Sequence, residues 1–309
     1  MKFKKKYSLR DGFGQGLLEL GGKERDVFVI TADLKESTRC YWFFDKFSNR
    51  AVQCGVAEQN MMGIAAGIAM TGKTVFVSSF ACFSPARNWD QLRISVCLQN
   101  LDVKIAGHHT GFSNFADGGS HQALEDLAIT QVLPNLTVLT PADYNQAKQA
   151  VFESFKQKGP VYIRLSKYEL PNFTSDFKIG QVEVLRPGSD LTVITAGPMA
   201  YFALQAANNL VGKLDVELIN LNSLKPLAED LVLQSAQKTK KVLTIEDHQI
   251  IGGLGSRIAQ FLAEKFPVPV FCHGVKGEFG QSSRSLDELL HYYQLDQKGI
   301  EEKILQITS

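Results

Sequence analysis

The sequence is poor in the features that mark several protein classes. Its five cysteines, at positions 40, 54, 82, 97 and 272, are odd in number and never in Cys-x-x-Cys spacing, which excludes a disulfide framework and gives no zinc pattern. Neither charge is in excess, with Lys+Arg 33 against Asp+Glu 32 and a net charge of +1, so the electrostatic footprint of a nucleic-acid platform is missing. The one basic run, Lys4-Lys5-Lys6, reads as a solvated terminus. No apolar stretch approaches the ~18 residues of a membrane span, and no apolar h-region follows the N-terminal charges. A soluble protein of the reducing cytoplasm is the expectation.

What is present is a chain of 309 residues, 44% hydrophobic and 21% charged, too apolar and too balanced in charge for disorder. At roughly 150 residues per domain it is long enough for two. Short β-branched runs at 27–30, 74–77, 103–106, 137–139 and 161–163 predict strands. Helical patterns separate them, as expected for a parallel sheet buried on both faces. One intervening helix carries Thr140 as its cap, Pro141 at N1, Asp143 at the positive end and Ala147, Val151 and Phe155 at four-residue spacing; Gly159-Pro160 stops it. Polar turn residues from Tyr168 to Ser189 predict a connection, after which strands follow at 191–194, 216–219, 242–245 and 268–271. Pro269 marks the last as an edge strand. The predicted fold is α/β: two consecutive three-layer domains with mostly parallel sheets, residues 1–170 and 189–309, joined by a linker over 171–188.

Glycine-rich pieces at Gly12-Phe13-Gly14-Gln15-Gly16 and Gly253-Leu254-Gly255 lack the order and spacing of a dinucleotide fingerprint and read as close backbone packing at helix starts. In the stretch from Cys54 to Gly67, Glu58 opens a helix of small and apolar residues, expected to be buried on most sides. Two readings fit: Glu58 complements the positive helix end, or it is a partly desolvated carboxyl that shares a proton with a bound heteroaromatic nitrogen. Phe80 and Phe83 follow a strand and are either a core pair or a stacking platform. The loop from Gly107 to Gln122 holds three of the six histidines, at 108, 109 and 121, with Asp117 and four glycines. Adjacent histidines without a nearby cysteine or second carboxylate argue against a metal. Hydrogen bonding to a hydroxylated substrate, or proton shuttling near neutral pH, suits them better. No Gly-x-Ser-x-Gly elbow supports a nucleophile triad.

Taken in order, Gly55-Val56-Ala57-Glu58-Gln59-Asn60-Met61, Ser79-Phe80-x-x-Phe83, Asp117-Gly118-Gly119-Ser120-His121-Gln122, Pro160-Val161-Tyr162-Ile163-Arg164-Leu165 and Ile251-Gly252-Gly253-Leu254-Gly255-Ser256 resemble a transketolase from Arg10 to about Ile300. The likeness covers only the later part of a full-length enzyme, its pyrimidine-binding and C-terminal domains; the Gly-Asp-Gly…Asn motif of the diphosphate-binding domain does not occur. The chain therefore resembles the C-terminal subunit of a split transketolase.

That resemblance implies a cytoplasmic transferase of carbohydrate metabolism, of the pentose phosphate kind, moving a two-carbon ketol unit between phosphosugars. It implies thiamine diphosphate, with Mg2+ or Ca2+ held mainly by a separate N-terminal diphosphate-binding subunit, and two copies of each chain. In it, Glu58 matches the glutamate that hydrogen-bonds the pyrimidine ring nitrogen and promotes C2 deprotonation. Phe80 and Phe83 match residues lying against the pyrimidine. His109, Asp117 and His121 match positions facing the sugar hydroxyls and carbonyl, with the two histidines catalytic. Arg10, Ser37 and Lys167 match the holders of the sugar phosphate. Departures are Ala116 in place of an acid, Lys167 where an arginine is common, Pro85 near a missing aromatic, and a bulkier Asn114-Phe115-Ala116 stretch, which open the identity of the ketose. Glu246-Asp247-His248 reads as interface and loop structure. A deoxyxylulose-phosphate synthase-like enzyme, a 2-oxo acid dehydrogenase β subunit and a non-catalytic regulatory chain of the same fold are the alternatives.

Overall fold

In the computed structural model, which describes residues 5–309, the apolar runs become the buried strands of two sheets. Lys4 of the basic run lies outside the described residues. The first half comprises β1 (Tyr7–Ser8), α1 (Leu9–Lys23), β2 (Val27–Thr31), α2 (Tyr41–Lys46), β3 (Ala51–Gln53), α3 (Glu58–Ala69), β4 (Thr74–Phe80), α4 (Trp89–Gln91), β5 (Val103–His108), α5 (Asp126–Gln131), β6 (Thr137–Leu139), α6 (Tyr144–Lys156), β7 (Val161–Leu165) and β8 (Glu169–Leu170). The second comprises β9 (Val182–Arg186), β10 (Leu191–Ala196), α7 (Met199–Asn209), β11 (Val216–Leu221), β12 (Ser223–Lys225), α8 (Glu229–Thr239), β13 (Val242–Gln249), α9 (Leu254–Lys265), β14 (Val270–Val275), α10 (Leu286–Tyr292) and α11 (Gln297–Thr308).

The first sheet has the order β12-β6-β7-β5-β4-β2-β3 and is parallel except for β12, which pairs antiparallel with β6. The second, β14-β13-β10-β11-β9, is parallel except for β9. As the near-continuous apolar strands predict, helices cover both faces. On one face of the first sheet Leu9, Phe13 and Leu17 of α1 pack with Val29 and Phe76; on the other, Met61, Met62 and Ala65 of α3 pack with Ile30, Val75 and Val77. That second cluster continues without a break through Val138 to Ile194, Ile219 and Leu254, so the two domains share a core. With full burial of such a side chain worth about 1.5–3 kcal/mol, the shared layer fixes one domain on the other.

Three local expectations are corrected. The helix after β6 starts at Tyr144, and its cap is Asp143, whose side chain accepts from Gln146 N at 3.0 Å. Thr140 is used elsewhere: its hydroxyl donates to Leu221 O at 2.7 Å, tying β6 to β11. The stretch between Tyr168 and Ser189 is not all connection, because Val182–Arg186 pairs with β11; with no fully buried position it lacks the apolar run that marks a central strand. Glu246-Asp247-His248 is the buried end of β13, not a loop. The glycines of α1 meet their expectation of close packing, since a Cβ on Gly12 would stand 2.2 Å from Tyr144 O and one on Gly16 2.9 Å from Lys148 O. α1 can thus press its backbone onto α6, and it carries Arg10 at its first turn.

Candidate active site

The carboxyl ends of β2, β4, β5 and β7 lie side by side, with Thr31 opposite Ser78, Ser79 opposite Gly107, and Phe80 and Leu165 flanking His108. Open parallel sheets bind ligands at this edge. Phe80 ends β4 rather than following it, and Phe83 sits in the turn beyond; their rings stack with centroids 6.1 Å apart at 19°. The His109 ring lies 4.1 Å from that of Phe80, and the His121 ring meets Phe83 edge-on at 5.4 Å. Four residues from two separate stretches thus form one aromatic cluster.

Glu58 opens α3 with its side chain 2% exposed. It is not a lone desolvated acid: Arg87 Nη1 donates to Glu58 Oε2 at 2.8 Å, and the Arg87 guanidinium lies over the Phe83 ring at 4.6 Å. Asn88 Nδ2 bonds Glu58 O at 3.2 Å and Ser84 Oγ at 3.1 Å, fixing the helix start against the turn. Nor is α3 buried on most sides, because Gln59, Asn60, Gly63 and Gly67 face outward. Arg87 escaped the sequence reading because an arginine at the end of a turn has no periodicity to expose it.

His109 is 3% exposed and adopts φ 55, a left-handed conformation that costs a non-glycine residue energy and clusters at functional sites. Burial, then His108, Lys167, Arg10 and Arg39, push its pKa down to about 2. Burial and two of the same arginines, Arg10 and Arg39, hold His108 at about 3, where its ring stands edge-on to Phe13 at 4.9 Å. Both imidazoles are neutral at pH 7, so of the two roles that the sequence allows, hydrogen bonding is the one that His109 suits. His121 is half-buried, with Nδ1 2.9 Å from Ser120 Oγ, and Asp117 is exposed one residue before the tight turn at Gly118–Ser120. Phe115, which made the loop look bulky, packs into the core of the second domain.

Arg10 Nη1 donates to Ser37 O at 3.2 Å, bringing those two together. The Lys167 backbone N–H donates to Ser113 Oγ at 2.9 Å, so the chain carrying this cation is tied to the histidine loop. Arg39, not anticipated, joins the cationic group with its Nε 2.6 Å from Asp11 Oδ1. Its left-handed φ of 63 breaks local periodicity and left no pattern to read. At this edge both ring nitrogens of His108 and of His109, the Ser79 and Thr110 hydroxyls and Arg10 Nε are buried without a protein partner. Folded proteins seldom leave so many polar atoms orphaned in one place unless a ligand uses them. A stacking surface beside a carboxylate, neutral imidazoles and a group of cations suits a planar heteroaromatic next to an anionic, hydroxylated substrate. Among the described residues no three His, Cys, Asp or Glu side chains come together as a metal-binding set, and no helix is long and apolar enough to cross a membrane.

Two family models match the chain: the transketolase pyrimidine-binding domain over residues 5–172 and the transketolase C-terminal domain over residues 180–300. The chain is 38% identical over 305 residues to a putative transketolase C-terminal section of Methanocaldococcus jannaschii, covering 96% of this chain and 95% of that protein. It is also 38% identical over 277 residues to the 6-deoxy-6-sulfo-D-fructose transketolase subunit SqwH of Clostridium sp. (strain MSTE9), covering 88% and 86%. Among solved structures, one described as a split gene transketolase, inactive beta4 tetramer, superposes with a TM-score of 0.86 at 38% identity over 98% of this chain and 99% of that one.

Proposed function

The chain belongs to the transketolase family, and from that membership we propose that it is one half of a thiamine diphosphate-dependent enzyme transferring a two-carbon ketol unit from a ketose phosphate to an aldose phosphate. A separate N-terminal subunit completes it by holding the diphosphate and its Mg2+ or Ca2+, in an assembly with two copies of each chain. The observation that carries the reading is the buried, unpartnered His109 imidazole tilted against Phe80, whose ring stacks with that of Phe83.

Thiamine diphosphate, when bound, supplies a nucleophilic ring carbon that no side chain can provide. Phe80 and Phe83 would hold its pyrimidine ring by stacking. Glu58 would hold the ring nitrogen through Oε1, because Arg87 already occupies Oε2 and fixes the carboxylate's rotation. A carboxylate there would accept a hydrogen bond from the protonated ring nitrogen and so assist removal of the C2 proton when the cofactor is bound. The neutral His109, with His121 and Asp117, aligns the sugar carbonyl and hydroxyls; His109 and His121 are the catalytic histidines and Glu58 the catalytic carboxylate. Arg10, Ser37 and Lys167 anchor the terminal anion, with lysine acting as a point charge instead of a fork.

The 38% identity to a sulfofructose transketolase subunit over 86% of that protein favours a second donor, a ketose ending in a sulfonate, whose tetrahedral anion asks for the same cations. The test is a donor comparison on the complex isolated from the native source, with fructose 6-phosphate, its 6-sulfo analogue and free fructose. The phosphate reading expects transfer from the first; preference for the second moves the assignment to sulfosugars, and equal use of free fructose contradicts an anion subsite. Lys167→Ala should raise KM for the preferred anionic ketose about tenfold and leave that for free fructose unchanged. An equal change in both would take Lys167 out of the anion subsite.

A further inference from the structure

Asp247 belongs to the second domain, yet its carboxylate is buried among three segments that carry the sugar-facing residues of the first. Oδ1 accepts from Arg164 Nη1 at 2.7 Å and the Asp247 carbonyl accepts from Arg164 Nη2 at 3.1 Å. Oδ2 accepts from the Tyr168 hydroxyl at 2.9 Å, and that hydroxyl in turn accepts from the Phe112 backbone N–H at 3.2 Å. Arg164 reaches the other way, its Nε donating to Asp126 Oδ2 at 3.0 Å, where Tyr162 OH also donates at 2.7 Å. All five side chains are buried.

The loop could not sit here without glycine. At Gly111, φ is +61 and a Cβ would stand 1.9 Å from Asp247 Oδ2, so the backbone two residues after His109 is laid directly against this carboxylate. Tyr168 follows Lys167, and Asp126 opens α5 five residues after His121. One aspartate therefore bonds Tyr168, next to Lys167, lies against the start of the histidine loop at Gly111, and through Arg164 and Asp126 reaches the end of that loop. Breaking one arm of a buried, fully bonded network leaves groups that nothing else can satisfy, so the arms move together.

We propose that Asp247 is a positioning residue through which the second domain sets the register of His109 and Lys167 at the sugar subsite. This rests on the ketol-transfer reading for what the subsite binds, but not for the mechanical link. No hydrogen bond joins Glu58, Phe80 or Phe83 to the network, so its loss should disturb sugar binding more than cofactor activation. Positional errors of an ångström at a reacting centre can cost about a hundredfold in rate.

The experiment compares Asp247→Asn and Tyr168→Phe with the native chain, each in the holo complex with its partner subunit. Tyr168→Phe deletes one hydroxyl and keeps the core volume, so it reads the link even where Asp247→Asn lowers the yield of folded protein. Backbone amide hydrogen exchange is followed over 110–123 and 164–168, together with steady-state ketol transfer and hydrogen–deuterium exchange at the thiazolium C2. Both variants should exchange faster in those two segments and raise KM for the anionic ketose by about tenfold or more, while C2 exchange stays at the native rate. Native amide exchange in the two segments would overturn the proposal. So would a loss of C2 exchange equal to the loss of ketol transfer, which would mark a general structural defect. If the native complex transfers no ketol unit from any ketose, the functional reading fails, and the amide exchange still decides the role of Asp247.

Discussion

At the scale of single residues, the central pairing is Glu58 with Arg87. Glu58→Gln keeps the side chain's size and an acceptor oxygen but removes the charge facing the ring nitrogen. In the holo complex C2 hydrogen–deuterium exchange should fall by about a hundredfold or more with the melting temperature nearly unchanged; a native exchange rate would detach Glu58 from the cofactor. The histidines yield a pH prediction of definite sign. His108 and His109 have folded pKa values depressed from the ordinary 6.5 to about 3 and about 2, so the unfolded chain binds protons that the folded one refuses. Their contribution to stability is complete above pH 6.5 and is lost as pH falls below it, at up to about 1.4 kcal/mol per histidine per pH unit. Urea unfolding midpoints measured between pH 7 and 5 should fall less steeply for His108→Leu than for the native chain; an identical slope would mean that His108 charges freely when folded. Glu58, Phe80, Phe83, His109 and His121 stood out in sequence because each lies in a short stretch of unusual composition. Arg87 and Arg39 did not, because isolated surface-type cations look alike until the fold shows what they face.

At the scale of elements, strongly apolar strands were legible and the elements that break the pattern were not. The five strand runs expected in the first half all lie within β2, β4, β5, β6 and β7, since each is a near-continuous β-branched run buried on both sides. The three-residue β3 is too short to show a period, and β12 joins the first sheet from the second half of the chain, a long-range pairing that no local pattern encodes. The misplaced start of α6 has a similar cause: Thr140, Pro141 and Asp143 are all acceptable near a helix start, and only the tertiary bond from Thr140 to Leu221 decides among them. Asp143 now carries the cap, and its Oδ2 also accepts from Phe173 N, Thr174 N and the Thr174 hydroxyl. Asp143→Ala should therefore cost at least the usual 1–2 kcal/mol or so of a lost cap in chemical denaturation; a cost below about 0.5 kcal/mol would show that the cap is dispensable. Gly12→Ala should destabilise by about 1–3 kcal/mol through overpacking and raise KM for the anionic ketose, because the contact with Tyr144 holds the helix that carries Arg10. Unchanged stability would mean that α1 and α6 can separate at no cost.

At the scale of the whole molecule, two α/β units share one hydrophobic layer, and the second unit pins the histidine loop of the first. Besides the Asp247 network, Gln122 Nε2 donates to Gln281 O at 2.9 Å, Ser283 N donates to Phe115 O at 2.8 Å, and the Phe112 ring stacks on Tyr293 at 4.5 Å. The α/β class and its two units were legible because composition and periodicity report burial directly. The pinning was not, since it joins residues 79 or more positions apart. On the proposed reading, the stacked Phe80 and Phe83 rings with Glu58 serve the cofactor, the imidazoles and cations serve the sugar, and a separate subunit supplies the rest. The most direct measurement is ketol transfer from a ketose phosphate to an aldose phosphate, with thiamine diphosphate and magnesium, by this chain alone and by the complex that co-purifies with it from its native source. The account predicts no transfer by the isolated chain and turnover by the complex. Turnover by the chain alone, or a complex that binds thiamine diphosphate but transfers no ketol unit from any phosphorylated or sulfonated ketose, would contradict it.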